Sequence, residues 1–234
     1  MSTETNEPAV VGMDGCKAGW VAVRHDANSG LTAAVFATLQ DLQGTWPDAA
    51  LWAVDMPVGL PERDVRRCDT AARRLLGAPR ASSVFSAPVR ASLAATTYGE
   101  AAALHRRASG RGLTLQAFHL FPKIREVDAW LDQTGRPPLY EVHPEVSFAA
   151  WSGAPIRQGK RTAEGRAVRR ALIGRAHGPD LEALEAACGR GCARDDLYDA
   201  VAAVWTARRI AAGEHVSVAP AEVDQAGRRM EIVY

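Results

Sequence analysis

The spacing of apolar positions along this chain changes period at about residue 38 and again after residue 61. The apolar run AVVGM (9–13) leads into Asp14, a glycine-punctuated turn covers residues 15–19, and WVAVR (20–24) alternates as a half-buried strand does. HDANSG is hairpin-turn chemistry, and residues 31–37 read as a third strand, so the first segment predicts an antiparallel meander. Thr38 predicts the N-cap of a short helix over 39–44. LWAVD (51–55) is a short apolar run ending in an acid, the pattern of a buried parallel strand after a crossover helix. MPVGLP then forces a rigid, irregular loop just past Asp55.

Beyond residue 61 the pattern is mainly helical. Residues 62–76, 92–108 and 120–131 read as helices, with a loop at 77–88. No linker-like composition sets this stretch apart, so 62–132 is expected to be a helical insertion within one domain spanning 1–234. Residues 139–142 predict a strand, and Pro144 suits the first turn of the helix that follows. Helices are expected at 162–176, 180–188 and 195–212, the last ended by Gly213. Residues 216–219 read as extended and 230–233 as a short strand or tail. The polar start, MSTETNEP (1–8), predicts a disordered N-terminus.

Composition narrows the class. At 234 residues the chain can bury a sizeable core, and no apolar run approaches the roughly 20 residues of a membrane helix. With no signal-peptide pattern, a cytoplasmic location is expected. Four scattered cysteines make no disulfide framework. Cys188 and Cys192 flank GRG, but no second pair completes a zinc site, so reduced thiols are expected. Net charge is only +1, yet between Pro61 and Arg125 twelve Lys/Arg face four acids. Such a segment can steer a polyanion, or it can be a solvated helical surface.

Position singles out a few acids. Asp14 ends the first strand and Asp55 the strand after the crossover; Glu141 and Glu145 flank the end of the last core strand. Asp195, Asp196 and Asp199 open the longest helix, so Asp199 shares a face with the other two. Asp195 is expected to be the N-cap, and Asp196 suits the helix dipole in the first turn. Asp199 lies on a small-residue face with Ala202, Ala203 and Thr206. An acid buried there asks for a counter-charge.

The meander, crossover and parallel strand, with acids on the first strand, a later strand and a C-terminal helix, resemble the ribonuclease H-like fold. More closely, the chain resembles the family of domain of unknown function 429, expected to be nucleases of that fold. The matching pieces are GMDGCKAGW (12–20), VDMPVGLP (54–61), RRCDTAARRLLG (66–77), SSVFSAPVR (82–90), FPKIREVD (121–128), EVHPEVSF (141–148), GKRTAEGRAVRR (159–170) and DDLYDAVAAVWTA (195–207). The resemblance implies an α/β three-layer fold: a mixed sheet of antiparallel meander plus parallel strands, flanked by helices. It also implies that Asp14, Asp55, Glu145 (preferred over Glu141) and Asp199 are catalytic carboxylates. With Asp196 they would hold two ions of Mg²⁺ or Mn²⁺, activating water and stabilising the leaving oxygen of a phosphodiester.

Nucleic acid is the expected partner, RNA or DNA unresolved, with Lys160, Arg166, Arg66 and Arg67 as phosphate-binding residues. Arg166, Arg169 and Arg170 fall on one helix face. His143 reads as a packed or surface histidine, with water orientation the alternative. Trp20, Trp52, Trp130, Trp151 and Trp205 read as core rather than stacking platforms. Two other functions fit less well. A non-catalytic binding module leaves four separately placed acids unexplained. A phosphotransferase of the actin or sugar-kinase type needs a second Asp-Gly lobe that 234 residues do not contain.

Overall fold

The computed structural model describes residues 7–133 and 135–234. The expected disordered N-terminus falls mostly outside them; within them, exposed Glu7 pairs with Arg208 at 3.2 Å. Strands β1 (Val10–Cys16), β2 (Gly19–Asp26) and β3 (Gly30–Phe36) form the meander. Helix α1 (Leu39–Thr45) crosses over to β4 (Leu51–Val54), and β5 (Leu139–Glu141) completes a five-stranded sheet of order β3-β2-β1-β4-β5. The β1–β2 and β2–β3 pairs are antiparallel; β1–β4 and β4–β5 are parallel. Thr38 caps α1 as expected: its hydroxyl accepts the Asp41 N–H, and the Asp41 carboxylate accepts the Thr38 N–H, both at 3.1 Å.

The helical segment is broken more often than its periodicity predicts. Helix α2 (Arg67–Leu76) begins five residues after the expected start at 62, and the expected 92–108 helix is a 3₁₀ turn followed by α3 (Tyr98–Ser109). Thr97 caps α3, accepting the Glu100 N–H, which sets that start. Helices α4 (Leu115–His119) and α5 (Phe121–Leu131) follow. In the C-terminal half, α6 (Pro144–Ser152) carries proline in its first turn. The helices expected at 162–176 and 180–188 run together as α7 (Ala163–Ala187), interrupted only at His177. Helix α8 (Arg194–Ala211) is the longest uninterrupted one, and β6 (Glu222–Val223) pairs with β7 (Arg229–Met230).

Strand alternation sorts the side chains into two cores. Val11, Met13, Trp52 and Val54 face α1 and α5, where Trp52 stacks on Trp130 with centroids 4.7 Å apart. Val10, Ala53 and the valines of β2 face α8. The sheet is therefore the middle of three layers. Trp20, Trp52 and Trp130 are buried core residues; Trp151 and Trp205 are half-buried and stack on each other at 5.6 Å.

The thiol expectation is overturned in part. The turn joining α7 to α8 brings Cys188 and Cys192 to a Cα–Cα distance of 5.6 Å, and they form a disulfide. Cys16 and Cys68 are free and buried. Among the described residues no helix is long and apolar enough to cross a membrane.

Candidate metal centre

The sheet places the first two acids side by side. β1 pairs in parallel with β4 up to Met13–Val54, and the Asp55 N–H then donates to the Met13 carbonyl at 3.1 Å. Asp14 does not end its strand as expected, because β1 stays paired with β2 to Cys16; it stands beside Asp55, which lies just past β4 at the rigid loop that the following prolines impose. The third acid arrives on α8, which packs so tightly against β1 that a Cβ on Gly12 would lie 2.0 Å from the Val204 nitrogen and 2.5 Å from the Ala200 oxygen. Gly12 and Asp14 lie on the same face of β1, so this close approach carries Asp199 to Asp14. One carboxylate oxygen from each of Asp14, Asp55 and Asp199 lies within 4.8 Å of the others.

Little within the protein neutralises them. Asp199 is fully buried; its Oδ2 takes the Lys160 ammonium, while its Oδ1 has no hydrogen-bond partner among the described residues. Asp14 accepts only the Gly15 N–H, at 2.6 Å, and no hydrogen bond reaches the Asp55 carboxylate among the described residues. Burial, then the charges of Asp55 and Asp199, hold the Asp14 carboxyl well above its ordinary range. Burial and Asp199 push Asp55 up to about 8. Burial pushes Asp199 up to about 6 against the lowering pull of Lys160. Burial alone would lower the Lys160 ammonium, but Asp199, Asp14 and Asp55 outweigh it and hold the pKa above its usual value. Three convergent carboxylates, one with an orphaned buried oxygen, are a hard-oxygen donor set that fits Mg²⁺ or Mn²⁺.

The cluster opens into a cavity of about 450 Å³. Asp196 lines it, though one of its oxygens is engaged at 3.1 Å by the Ala193 N–H, so Asp196 closes the start of α8. The N-cap is Ala193, not the expected Asp195, because α8 begins at Arg194 and Asp195 is already its second residue. Lys160 and Arg161 reach the cavity from the loop before α7, and Arg80 and Ser82 from the loop after α2. Of these, only Lys160 was singled out by the sequence. Arg80 lay in the matching neighbourhood of SSVFSAPVR, but nothing in its spacing marked it.

The two glutamates do not join the cluster. Glu145 lines the same cavity, but both its oxygens are taken by Arg169, at 2.7 and 2.6 Å, and Arg80 stands 3.1 Å away. Glu141 is held by Arg66 at 2.7 and 2.6 Å and accepts the Val58 N–H at 2.9 Å. Those arginines were expected in other roles. Arg66 is buried and bonds Asp69, Glu141 and the Gly59 carbonyl, which leaves it nothing for a phosphate. Arg67 is exposed and pairs with Glu222; Arg166 donates to the Arg161 carbonyl, and neither lines the cavity. Arg170 pairs with Glu185, so the helix face of Arg166, Arg169 and Arg170 is divided among three partners. His143 is at the cavity wall, and burial lowers its pKa, keeping it neutral.

Part of the basic excess between residues 61 and 125 is likewise engaged within the protein, while Arg63, Arg67, Arg74, Arg106, Arg107 and Arg111 are exposed. Arg73 bonds the Val84 carbonyl and Ser86, Arg90 pairs with Asp128 and Asp224, and Arg125 bonds the Leu93 and Ala95 carbonyls. These half-buried arginines tie irregular loops to helices.

A family model described as a protein of unknown function (DUF429) matches residues 12–225, a span that holds all three aspartates and every cavity residue named above. No curated protein matches the chain, and no solved structure does.

Proposed function

The chain belongs to the DUF429 family of proteins of unknown function, and we propose that it is a metal-dependent phosphodiester hydrolase, a nuclease of ribonuclease H-like fold. The observation that carries this reading is the convergence of Asp14, Asp55 and Asp199 from three separate elements onto one point, with the buried Asp199 Oδ1 lacking any donor. The strand order β3-β2-β1-β4-β5, antiparallel and then parallel about β1, is in keeping with that fold. So is the delivery of the third acid by a C-terminal helix.

Asp14, Asp55 and Asp199 would hold Mg²⁺ or Mn²⁺, which would supply an activated water and stabilise the departing oxygen. The chain's own residues do the rest. Arg80, Lys160 and Arg161 put positive charge on the cavity wall, where it opposes the acids and attracts a phosphate that the carboxylates alone would repel. Arg169 takes both oxygens of the Glu145 carboxylate, so Glu145 orients Arg80 rather than serving as a ligand. The Asp55 loop is fixed by the Glu141–Val58 and Arg66–Gly59 hydrogen bonds, so the carboxylate is set before any ligand arrives.

The test is a Mn²⁺-dependent cleavage assay over single-stranded, duplex, hybrid and branched RNA and DNA. Cleavage is expected only with the metal, and at least about a hundredfold less of it with Asp14→Asn or Asp199→Asn, the scale lost when a transition-state charge stabiliser goes. Cleavage that survives EDTA, or is unchanged in Asp14→Asn, refutes the reading.

A further inference from the structure

Lys160 stands where a cation is wanted and is itself a cation. Its ammonium bonds Asp199 Oδ2 and lies within the field of Asp14 and Asp55, while Asp199 Oδ1 on the same carboxylate stays unpartnered. Of the neighbouring cations, Arg169 and Arg80 pair with Glu145, Lys123 lies over the Trp20 ring, and Arg161 lines the cavity without a carboxylate partner among the described residues. Lys160 is therefore the cation bonded, through Asp199, to a group of three acids of which Asp14 and Asp199 are buried and Asp55 half-buried.

The backbone that carries it is held in place. The Gln158 carbonyl accepts Arg169 at 3.1 Å, the Gly159 carbonyl accepts the Thr162 N–H at 3.0 Å, and Gly165 presses against Gly159 so closely that a Cβ there would lie 2.0 Å from its oxygen. The side chain, by contrast, is about one-third exposed to the cavity. A flexible four-carbon stem on a fixed anchor can leave Asp199 without any movement of the loop.

We propose that Lys160 is a tethered stand-in for the metal: it neutralises the aspartate cluster in the metal-free protein, competes with a divalent ion for Asp199, and swings into the cavity when the ion binds. This rests on the metal-site reading above. It makes metal uptake an exchange of one cation for another, so the lysine holds the acids together when no metal is present and weakens metal binding when it is. A lysine serving only as a packing or surface residue would do neither.

Mn²⁺ titrations by calorimetry at pH 8, with melting temperatures in EDTA, separate the outcomes for wild type, Lys160→Met, Lys160→Arg and Asp14→Asn. Lys160→Met should melt below wild type in EDTA yet bind Mn²⁺ at least tenfold tighter, and Mn²⁺ should restore its melting temperature. Lys160→Arg, which keeps the charge, should stay within a few-fold of wild type. If Lys160→Met binds Mn²⁺ no tighter than wild type while Asp14→Asn loses binding, the lysine proposal falls and the metal site stands. If neither wild type nor Lys160→Met binds Mn²⁺, both fall.

Discussion

Gly12→Ala tests how the centre is assembled, because it perturbs the approach of α8 to β1 without touching a carboxylate. The added Cβ would lie 2.0 Å from the Val204 nitrogen, 2.5 Å from the Ala200 oxygen and 2.5 Å from the Ala203 carbonyl carbon. All three are backbone atoms, so no rotamer change relieves the clash. Ordinary contact needs about 3.4 Å, so the helix must retreat by more than 1 Å along that line. Overpacking of this kind costs ~1–3 kcal/mol. The upper end is expected here, because a whole buried helix must move; at about 2–4 °C per kcal/mol for a chain of this size, the melting temperature falls by roughly 6–12 °C. The same retreat draws Asp199, adjacent to Ala200, away from Asp14, so the rise in melting temperature with Mn²⁺ should shrink by more than half. Thermal unfolding with and without Mn²⁺ reads both effects. Gly44→Ala is the control: nothing lies within 4 Å of its added Cβ, and a helical Gly→Ala change should be neutral or gain up to ~1 kcal/mol. A Gly12→Ala protein with wild-type melting and a full Mn²⁺ response refutes the claim that close backbone packing sets the centre.

The remaining predictions concern charge. In EDTA, stability should fall as pH rises from 5 to 9. Asp199 and Asp55 have folded-state values raised to about 6 and about 8, so their stabilising protonated forms are complete only below the ordinary 3.8 and are lost as pH passes those values. Urea midpoints across that range measure this; a flat or rising profile contradicts it, and Mn²⁺ should flatten the fall. Arg66→Met leaves Asp69 and Glu141 buried without their cation and should cost ~3–5 kcal/mol in urea unfolding; a loss below ~1 kcal/mol would show that the pair is not held as described. Glu145→Gln should keep Mn²⁺ affinity within about threefold while Asp55→Asn lowers it more than tenfold, on the scale of ~1.4 kcal/mol per decade. Equal losses would return Glu145 to the ligand set.

Local patterns along the chain located most elements and the pair of acids at the sheet. Alternation and turn chemistry located β1 to β4, and the Thr38 cap and Pro144 start are local signals that tertiary contacts left intact. Asp14 and Asp55 were legible because an acid directly after an apolar run is unusual, although β1 continues past Asp14 to Cys16, and Asp199 because its helix is apolar on two sides. Helix breaks at 90–98 and the union of two expected helices into α7 were not legible, since periodicity persists through a single cap or a single non-helical residue. Charge partnership was decided only by the tertiary structure. Glu145 and Arg66 look like site residues along the chain, but their partners, Arg169 and Glu141, are 24 and 75 residues away and are met only when the layers close. A carboxylate becomes a free donor or half of an ion pair according to what packs against it: among the described residues Asp14, Asp55 and Asp199 meet no arginine, whereas Glu141 and Glu145 do.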